Sequence, residues 1–257
     1  MRDSKVTAGI ICPAPIEYRT CREVLRLSNE VELAGRLVSS RSEKGMKIVA
    51  VQAGPGKTQC ASAAQLIIDR FEPDIILDVG AAGALSPKLA IFDIVCGEYA
   101  YEYDICTTEE FPRYADDLTT STILPDLSDE GRNILHQFAK QVKSERSTSF
   151  EIGNIASGER VVKGRALREE LHSTFQAVAC NWESSAVLKV AKLNKVKAMA
   201  FRVITDKAGD KVAKELKANW KKALKILYLV LEDFLSGGWL LRLLKLPISE
   251  IERNKLG

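Results

Sequence analysis

Histidine is scarce in this chain, with two among 257 residues, His136 and His172, both in polar, helix-like contexts. That scarcity argues against a histidine-ligated metal or a histidine-based triad, and both side chains are expected at the surface. The six cysteines, Cys12, Cys21, Cys60, Cys96, Cys106 and Cys180, have no CxxC spacing and fall mostly in apolar strand or helix patterns. They read as small buried hydrophobes in a reducing compartment, with no disulfide or metal role. An excess of one charge is missing too: the net charge of +3 is scattered, leaves no long basic stripe and gives no footprint for nucleic acid. No apolar run is long enough to span a bilayer. The N-terminal MRDSKVTAGIICPAP is broken early by proline, and the apolar cluster over 239–246 is too short. A cytoplasmic protein is expected.

What is present supports one substantial core. With 46% hydrophobic and 28% charged residues, a single domain over 1–235 is expected, followed by an apolar, basic extension over 236–257. The extension is expected to dock on the body, with a second subunit or a membrane surface as the other candidates. Along the chain, short apolar runs alternate with helical periods, which is the pattern of an α/β fold. The run 6–12 reads as a buried strand ended by Pro13 and Pro15, and a helix from Ile16 puts Glu17 in its first turn. Residues 31–41 and 47–52 read as two strands of a hairpin, followed by AGPGKTQ and a helix over 58–71. Further strands are expected over 74–79, 91–103, 150–156, from 178 and over 196–204. Helices are expected over 127–141 (opened by Ser128), 164–173, from Ser184, and in an amphipathic stretch beyond Asp206. The small residues 80–83 read as a turn that a ligand can approach closely, and the polar stretch 106–126, with Phe111, Pro112 and Tyr114, as a long functional loop.

Two acidic residues stand out. Glu183 and Asp206 fall just past the C-terminal ends of strands, where open α/β sheets bind ligands. Set against so much apolar sequence, each needs a partner or a task. A different chemistry is suggested by AGPGKTQ, in which Gly56, Lys57 and Thr58 match the end of the phosphate-cradling GxxxxGK[ST], with Asp78 as the magnesium-holding partner. Val51 stands where the first glycine belongs, however, and leaves a loop too short to wrap two phosphates.

Taken in order, GIICPAPIE, AGPGKTQCASAAQLI, PDIILDVGAAGAL with DIV after it, SGERVV, and WESSAV followed by FRVITD resemble the nucleoside phosphorylase and nucleosidase superfamily. Within it, the set is most similar to the 5'-methylthioadenosine/S-adenosylhomocysteine nucleosidases. The resemblance implies a three-layer α/β/α fold with a twisted mixed central sheet, a homodimer, a small-molecule nucleoside substrate, and no cofactor. It implies cleavage of the bond between purine and ribose by water. Carried onto this sequence, Glu17 would activate the water, Asp206 would protonate the purine at nitrogen seven, and Glu183 would hold the ribose hydroxyls. Ala81, Ala82 and Gly83 would lie along ribose and base, and Val161 and Val162 would meet the purine largely through their backbone. Asn181, Trp182 and Thr205 would complete the substrate site.

The resemblance has departures. Trp182 and Ala14 stand where methionines are common and Ala81 where a serine is, which bears on the 5' group and keeps futalosine-like nucleosides open. Phosphorylases of the superfamily clamp phosphate with arginines. The CPAPIEYR loop and Asp78 lack that character and favour hydrolysis. A non-catalytic storage protein of the same fold is the remaining alternative.

Overall fold

The computed structural model describes residues 6–43, 45–105, 119–121 and 128–245. Most of the long polar loop, including Phe111, lies outside these residues, as do Cys106 and the tail from 246. The first strand, β1 (Val6–Cys12), ends at the prolines, and α1 (Pro15–Val24) starts with proline in its first turn. There the missing N–H costs nothing and the fixed φ already suits a helix. The stretch expected as one strand over 31–41 is two, β2 (Asn29–Leu33) and β3 (Arg36–Glu43). Ala34 and Gly35 between them both adopt positive φ, 49° and 71°, the two-residue turn whose twist suits a tight hairpin. An alanine at the first of those positions hides the turn from a sequence reading.

The chain continues through β4 (Met46–Gln52) and α2 (Lys57–Phe71). The next strand, β5 (Ile75–Ala84), holds a second correction, because residues 80–83 are its last turn of pleat and not a loop. They stay extended because β10 (Lys197–Asp206) pairs alongside as far as Gly83. Between these strands lie β6 (Ile94–Glu102), β7 (Thr119–Ser121), α3 (Asp129–Arg146), β8 (Phe150–Ser157), α4 (Arg165–Phe175), β9 (Ala177–Asn181) and α5 (Ser184–Leu193). Two helices follow β10, α6 (Val212–Ser236) and α7 (Trp239–Leu244).

The sheet is mixed, in the order β10-β6-β8-β9-β5-β1-β4-β3-β2, and β10 also pairs with β5. That extra pairing closes β5, β9, β8, β6 and β10 into a ring, from which β1, β4, β3 and β2 extend as an open wing. β5 is the hub. It takes β1 in parallel over Ile75 to Asp78, β10 in parallel on its other edge, and β9 in antiparallel at Gly83 and Ala84.

Helices cover both faces. Strand side chains alternate between two cores: Ala8, Ile10, Leu77, Phe201 and Val203 face α1, α3, α6 and α7, while Ile11, Ile76, Ala200 and Ile204 face α2 and α5. Gly9 lets α2 come close, since a methyl there would sit 2.6 Å from Ile67 Cγ2. The larger core centres on Phe138, whose ring lies 5.2 Å from Phe150, 5.1 Å from Phe234 and 5.6 Å from Trp239. Within the expected extension, Leu240 and Leu243 of α7 are buried in that same core. Among the described residues no helix is long and apolar enough to cross a membrane.

Phe138→Ala is expected to cost about 3–5 kcal/mol, as removal of a fully buried aromatic does. Urea denaturation measures this, and a loss under about 1 kcal/mol would mean that α7 is not anchored on this ring.

Candidate active site

The site forms where β1 stops short. Pro13 ends β1, so the upper part of β5 loses that neighbour before β9 joins it at Gly83. Into this gap the first turn of α1 brings Glu17, which is 4% exposed. Its Oε1 accepts from the Ala81 amide at 2.9 Å and its Oε2 from the Ala14 amide at 2.7 Å. Glu17 therefore satisfies a backbone donor that a continued β1 would have paired. Burial pushes its pKa up to about 7, against the pull of those two amides and of Arg202, so the carboxyl can take or hold a proton near neutrality.

Glu183 sits two residues beyond β9, at the start of α5. Its Oε1 accepts from the Gly56 amide at 3.2 Å, and its Oε2 lies 3.8 Å from Arg202 Nη1. Burial raises its pKa, opposed by Arg202 and abetted by Asp78. Asp206 is the last residue of β10. Its Oδ1 accepts from the Ala208 amide at 3.0 Å, and the Thr205 hydroxyl lies 3.0 Å from its Oδ2. Burial raises this carboxyl too. The Thr205 hydroxyl also reaches the Ala82 carbonyl, at 3.2 Å. Having one proton, it can donate to only one of these two oxygens, so a protonated Asp206 is accommodated without an unpaired group.

All three carboxylates line one cavity of about 240 Å³. Its walls include Ala14, Ala81, Ala82, Gly83, Val161, Val162, Asn181, Trp182 and Thr205, so every sequence-predicted site residue meets the same space. Trp182 and Val161 form its outer part, 37% and 49% exposed. Asn181 faces the cavity, but its amide is committed beneath it: turned so that its oxygen meets the donors there, that oxygen lies 2.9 Å from Arg202 Nε and 2.7 Å from Nη2. The small residues are required by close packing. A methyl on Gly80 would stand 2.7 Å from both Arg202 Nη1 and Glu17 Oε1, and one on Gly83 would stand 2.9 Å from Asp206 Oδ1.

Some participants are absent from the sequence reading. Arg202, wholly buried, pairs with Asp78 and lies under Glu17 and Glu183. Burial works against its charge, but Asp78, Glu183 and Glu17 outweigh it and hold its pKa above the usual arginine value. A cation inside the apolar FRVITD and an acid inside DIILDV were the signals available, since a buried charge demands a buried partner. Val212, Leu216 and Trp220 of α6 supply another wall, and Arg160 is the one cation among the described lining residues. The expected role of Asp78 as a carboxylate that repels phosphate is corrected: it is spent on Arg202 and Ser184, below the cavity. The phosphate-loop reading fails on the same ground. Lys57 is paired with Glu102 and Asp104, and the Gly56 amide points to a carboxylate.

Of the histidines, His136 is exposed, whereas His172 is half-buried with Nδ1 2.8 Å from the Ala177 carbonyl. Cys12, Cys21, Cys60, Cys96 and Cys180 are free and buried, and no cluster suited to a metal occurs among the described residues.

Comparison with known proteins gives a consistent picture. The sequence profile described as Phosphorylase superfamily matches residues 7–236. The chain is similar to the 5'-methylthioadenosine/S-adenosylhomocysteine nucleosidase of Baumannia cicadellinicola subsp. Homalodisca coagulata, with 29% identity over 194 residues, 75% of this chain and 82% of that protein. It is also similar to the aminodeoxyfutalosine nucleosidase of Campylobacter jejuni, with 26% identity over 189 residues, 74% of this chain and 80% of the other. In structure it matches the 5'-methylthioadenosine/S-adenosylhomocysteine nucleosidase of Helicobacter pylori crystallised with butyl-thio-DADMe-Immucillin-A, with a TM-score of 0.79, 21% identity, and coverage of 91% of this chain and 99% of that one. That likeness shows a shared fold.

The raised Glu17 has a thermodynamic signature. The folded state holds this proton more tightly than the unfolded chain does, so the contribution of Glu17 to stability is present below pH 4.5 and is lost as pH rises through about 7. Relative to the wild type, Glu17→Gln should gain stability over that interval, by about 3 kcal/mol in total. Denaturation midpoints of the two proteins across pH 4 to about 8 would show it. Parallel curves would mean that Glu17 is not desolvated.

Proposed function

The chain belongs to the phosphorylase superfamily, and on that premise we propose that it is a purine nucleosidase. It hydrolyses the N-ribosidic bond of an adenine nucleoside of the methylthioadenosine or S-adenosylhomocysteine type. The observation that carries this reading is the pairing, in one cavity, of a backbone-held carboxyl poised at about 7, Glu17, with a second carboxyl whose pKa is raised, Asp206. A purine anion leaves poorly, so Asp206 in its acid form protonates the ring at nitrogen seven as the bond breaks. Such general acid catalysis contributes about 10² to 10⁴-fold. Glu17, in its ionised form, orients water and takes its proton. The division of labour is that of glycosidases, an acid on the leaving group and a base on the nucleophile.

Positive charge grows on the ribose as the bond lengthens. Glu183 holds the 2'- and 3'-hydroxyls and stabilises that charge electrostatically. The purine lies between Ala81 to Gly83 and the backbone of Val161 and Val162. Trp182, Val161 and Leu216 offer apolar surface to the 5' substituent. Water is favoured over phosphate as nucleophile because the described cavity wall carries Glu17, Glu183 and Asp206 against one cation, the exposed Arg160, and a phosphate dianion needs a cationic clamp. Similarity to an aminodeoxyfutalosine nucleosidase supports a second reading, in which the same chemistry acts on a nucleoside with a bulkier 5' group. The homodimer that the resemblance implies, placed in the cytoplasm and in methionine salvage, belongs to the same proposal.

Methylthioadenosine or S-adenosylhomocysteine incubated with the protein in phosphate-free buffer should release adenine. Release that depends on added phosphate would assign the protein as a phosphorylase instead. Asp206→Asn should abolish turnover while leaving the circular dichroism spectrum unchanged. Because the reaction needs Glu17 ionised and Asp206 protonated at once, kcat/KM should be bell-shaped in pH, with one limb at a midpoint of about 7. A flat profile across that interval would remove Glu17 from the base role.

A further inference from the structure

The AGPGKTQ segment binds no phosphate in the reading above, yet its geometry is specific. Gly56 adopts φ +93°, a conformation that favours glycine, and a methyl there would meet Glu159 Oε1 at 2.5 Å. Its amide donates to Glu183 Oε1 at 3.2 Å. The next amide, of Lys57, donates to Glu159 Oε1 at 2.5 Å. The Lys57 side chain then leaves the site altogether. Its Nζ lies 2.8 Å from Glu102 Oε1 and 2.7 Å from Asp104 Oδ1. Both acids are themselves held: Lys189 pairs with the other oxygen of Glu102, and the Glu159 amide donates to Asp104 Oδ2 at 2.8 Å. The loop is thus gripped by its backbone on one side and by a mostly buried ion cluster on the other, with the Lys57 side chain 18% exposed.

We propose that Lys57 is a positioning residue for Glu183: by anchoring its loop to Glu102 and Asp104, it fixes the Gly56 amide on one carboxylate oxygen and leaves the other, 3.8 Å from Arg202 Nη1, to accept from the ribose diol. The geometry of a phosphate loop is used here to aim an acid. This inference rests on the nucleosidase reading. If that reading holds, loss of the anchor lets Glu183 swing and weakens a hydrogen bond between a charged acceptor and the 2'-hydroxyl. A substrate without that hydroxyl has nothing to lose.

The test compares kcat/KM for an adenine ribonucleoside and its 2'-deoxy analogue in the wild type, K57M and K57R. K57M should lose roughly tenfold or more on the ribonucleoside, the scale of one hydrogen bond to a charged group. It should lose much less on the deoxy analogue, so that the preference for ribose collapses. K57R, which keeps a cation between the two acids, should recover most of that preference. An equal loss on both substrates would mark Lys57 as a general stabiliser of the fold and overturn the proposal, as would no loss on either. A wild type inert toward both nucleosides would instead sink the nucleosidase reading, and this inference with it.

Discussion

Arg202 lies with no solvent contact beneath the cavity floor, in an ion pair with Asp78 and within 3.8 Å of Glu183. Four acidic residues, Glu17, Asp78, Glu183 and Asp206, crowd into this part of the molecule, and Arg202 is the one buried arginine among the described residues. Its charge makes the crowding tolerable. Asp78 compensates the guanidinium, which would otherwise be stranded in a medium where an unpaired charge costs several kcal/mol. What remains is a cavity lined by three carboxyls whose pKa values burial raises, with those of Glu17 and Glu183 partly pulled down by the arginine. That balance suits a reaction in which positive charge builds on the sugar and a proton must be delivered to the base. A stronger cation field would keep Asp206 ionised. Without any cation, Glu17 and Glu183 would both be driven toward the neutral acid.

The sheet supplies the positions. β5 is shared by three strands, and the gap between the end of β1 and the start of its pairing with β9 admits the first turn of α1. The prolines at 13 and 15 do two jobs there: they stop a strand and they start a helix within three residues. Glu17 is thereby placed against an amide that the sheet leaves unpaired. The glycines at 80 and 83 then read as a consequence of crowding, because side chains from β10 and α1 fill the space where their methyl groups would be.

The alternation of strands and helices was legible because buried strands carry apolar runs that proline or glycine interrupts. Glu183 and Asp206 were legible because acids at strand ends stand out against such runs, whereas Glu17, an acid in a first helical turn, was picked out by the resemblance. Less visible were features that depend on two distant segments at once. The turn at Ala34 carries no glycine at its first position, so 31–41 looked continuous. Residues 80–83 looked like a turn because small residues are ambiguous until the neighbouring strand is known. Arg202 and Asp78 lie far apart in sequence, and each alone resembles an incidental charge. Lys57 resembled a phosphate ligand because the local motif says nothing about Glu102 and Asp104, which arrive from another strand and the turn after it.

Closing five strands into a ring also settles where this sheet is vulnerable. Each of the five ring strands has a neighbour on both sides, with only the three-residue β7 added on β6, so the strands that carry the site offer little template to a passing unfolded chain. The wing, by contrast, ends on β2, whose outer backbone groups face solvent. That strand is five residues long and mostly exposed; Glu30 is paired with Arg22 and Tyr18, and Glu32 stands exposed beside Val31. A short border that carries an exposed carboxylate discourages a second copy from stacking there as an added strand. Protection against aggregation thus rests on a strand that contributes nothing to the cavity wall, where an acid can be spent without changing the charge of the site.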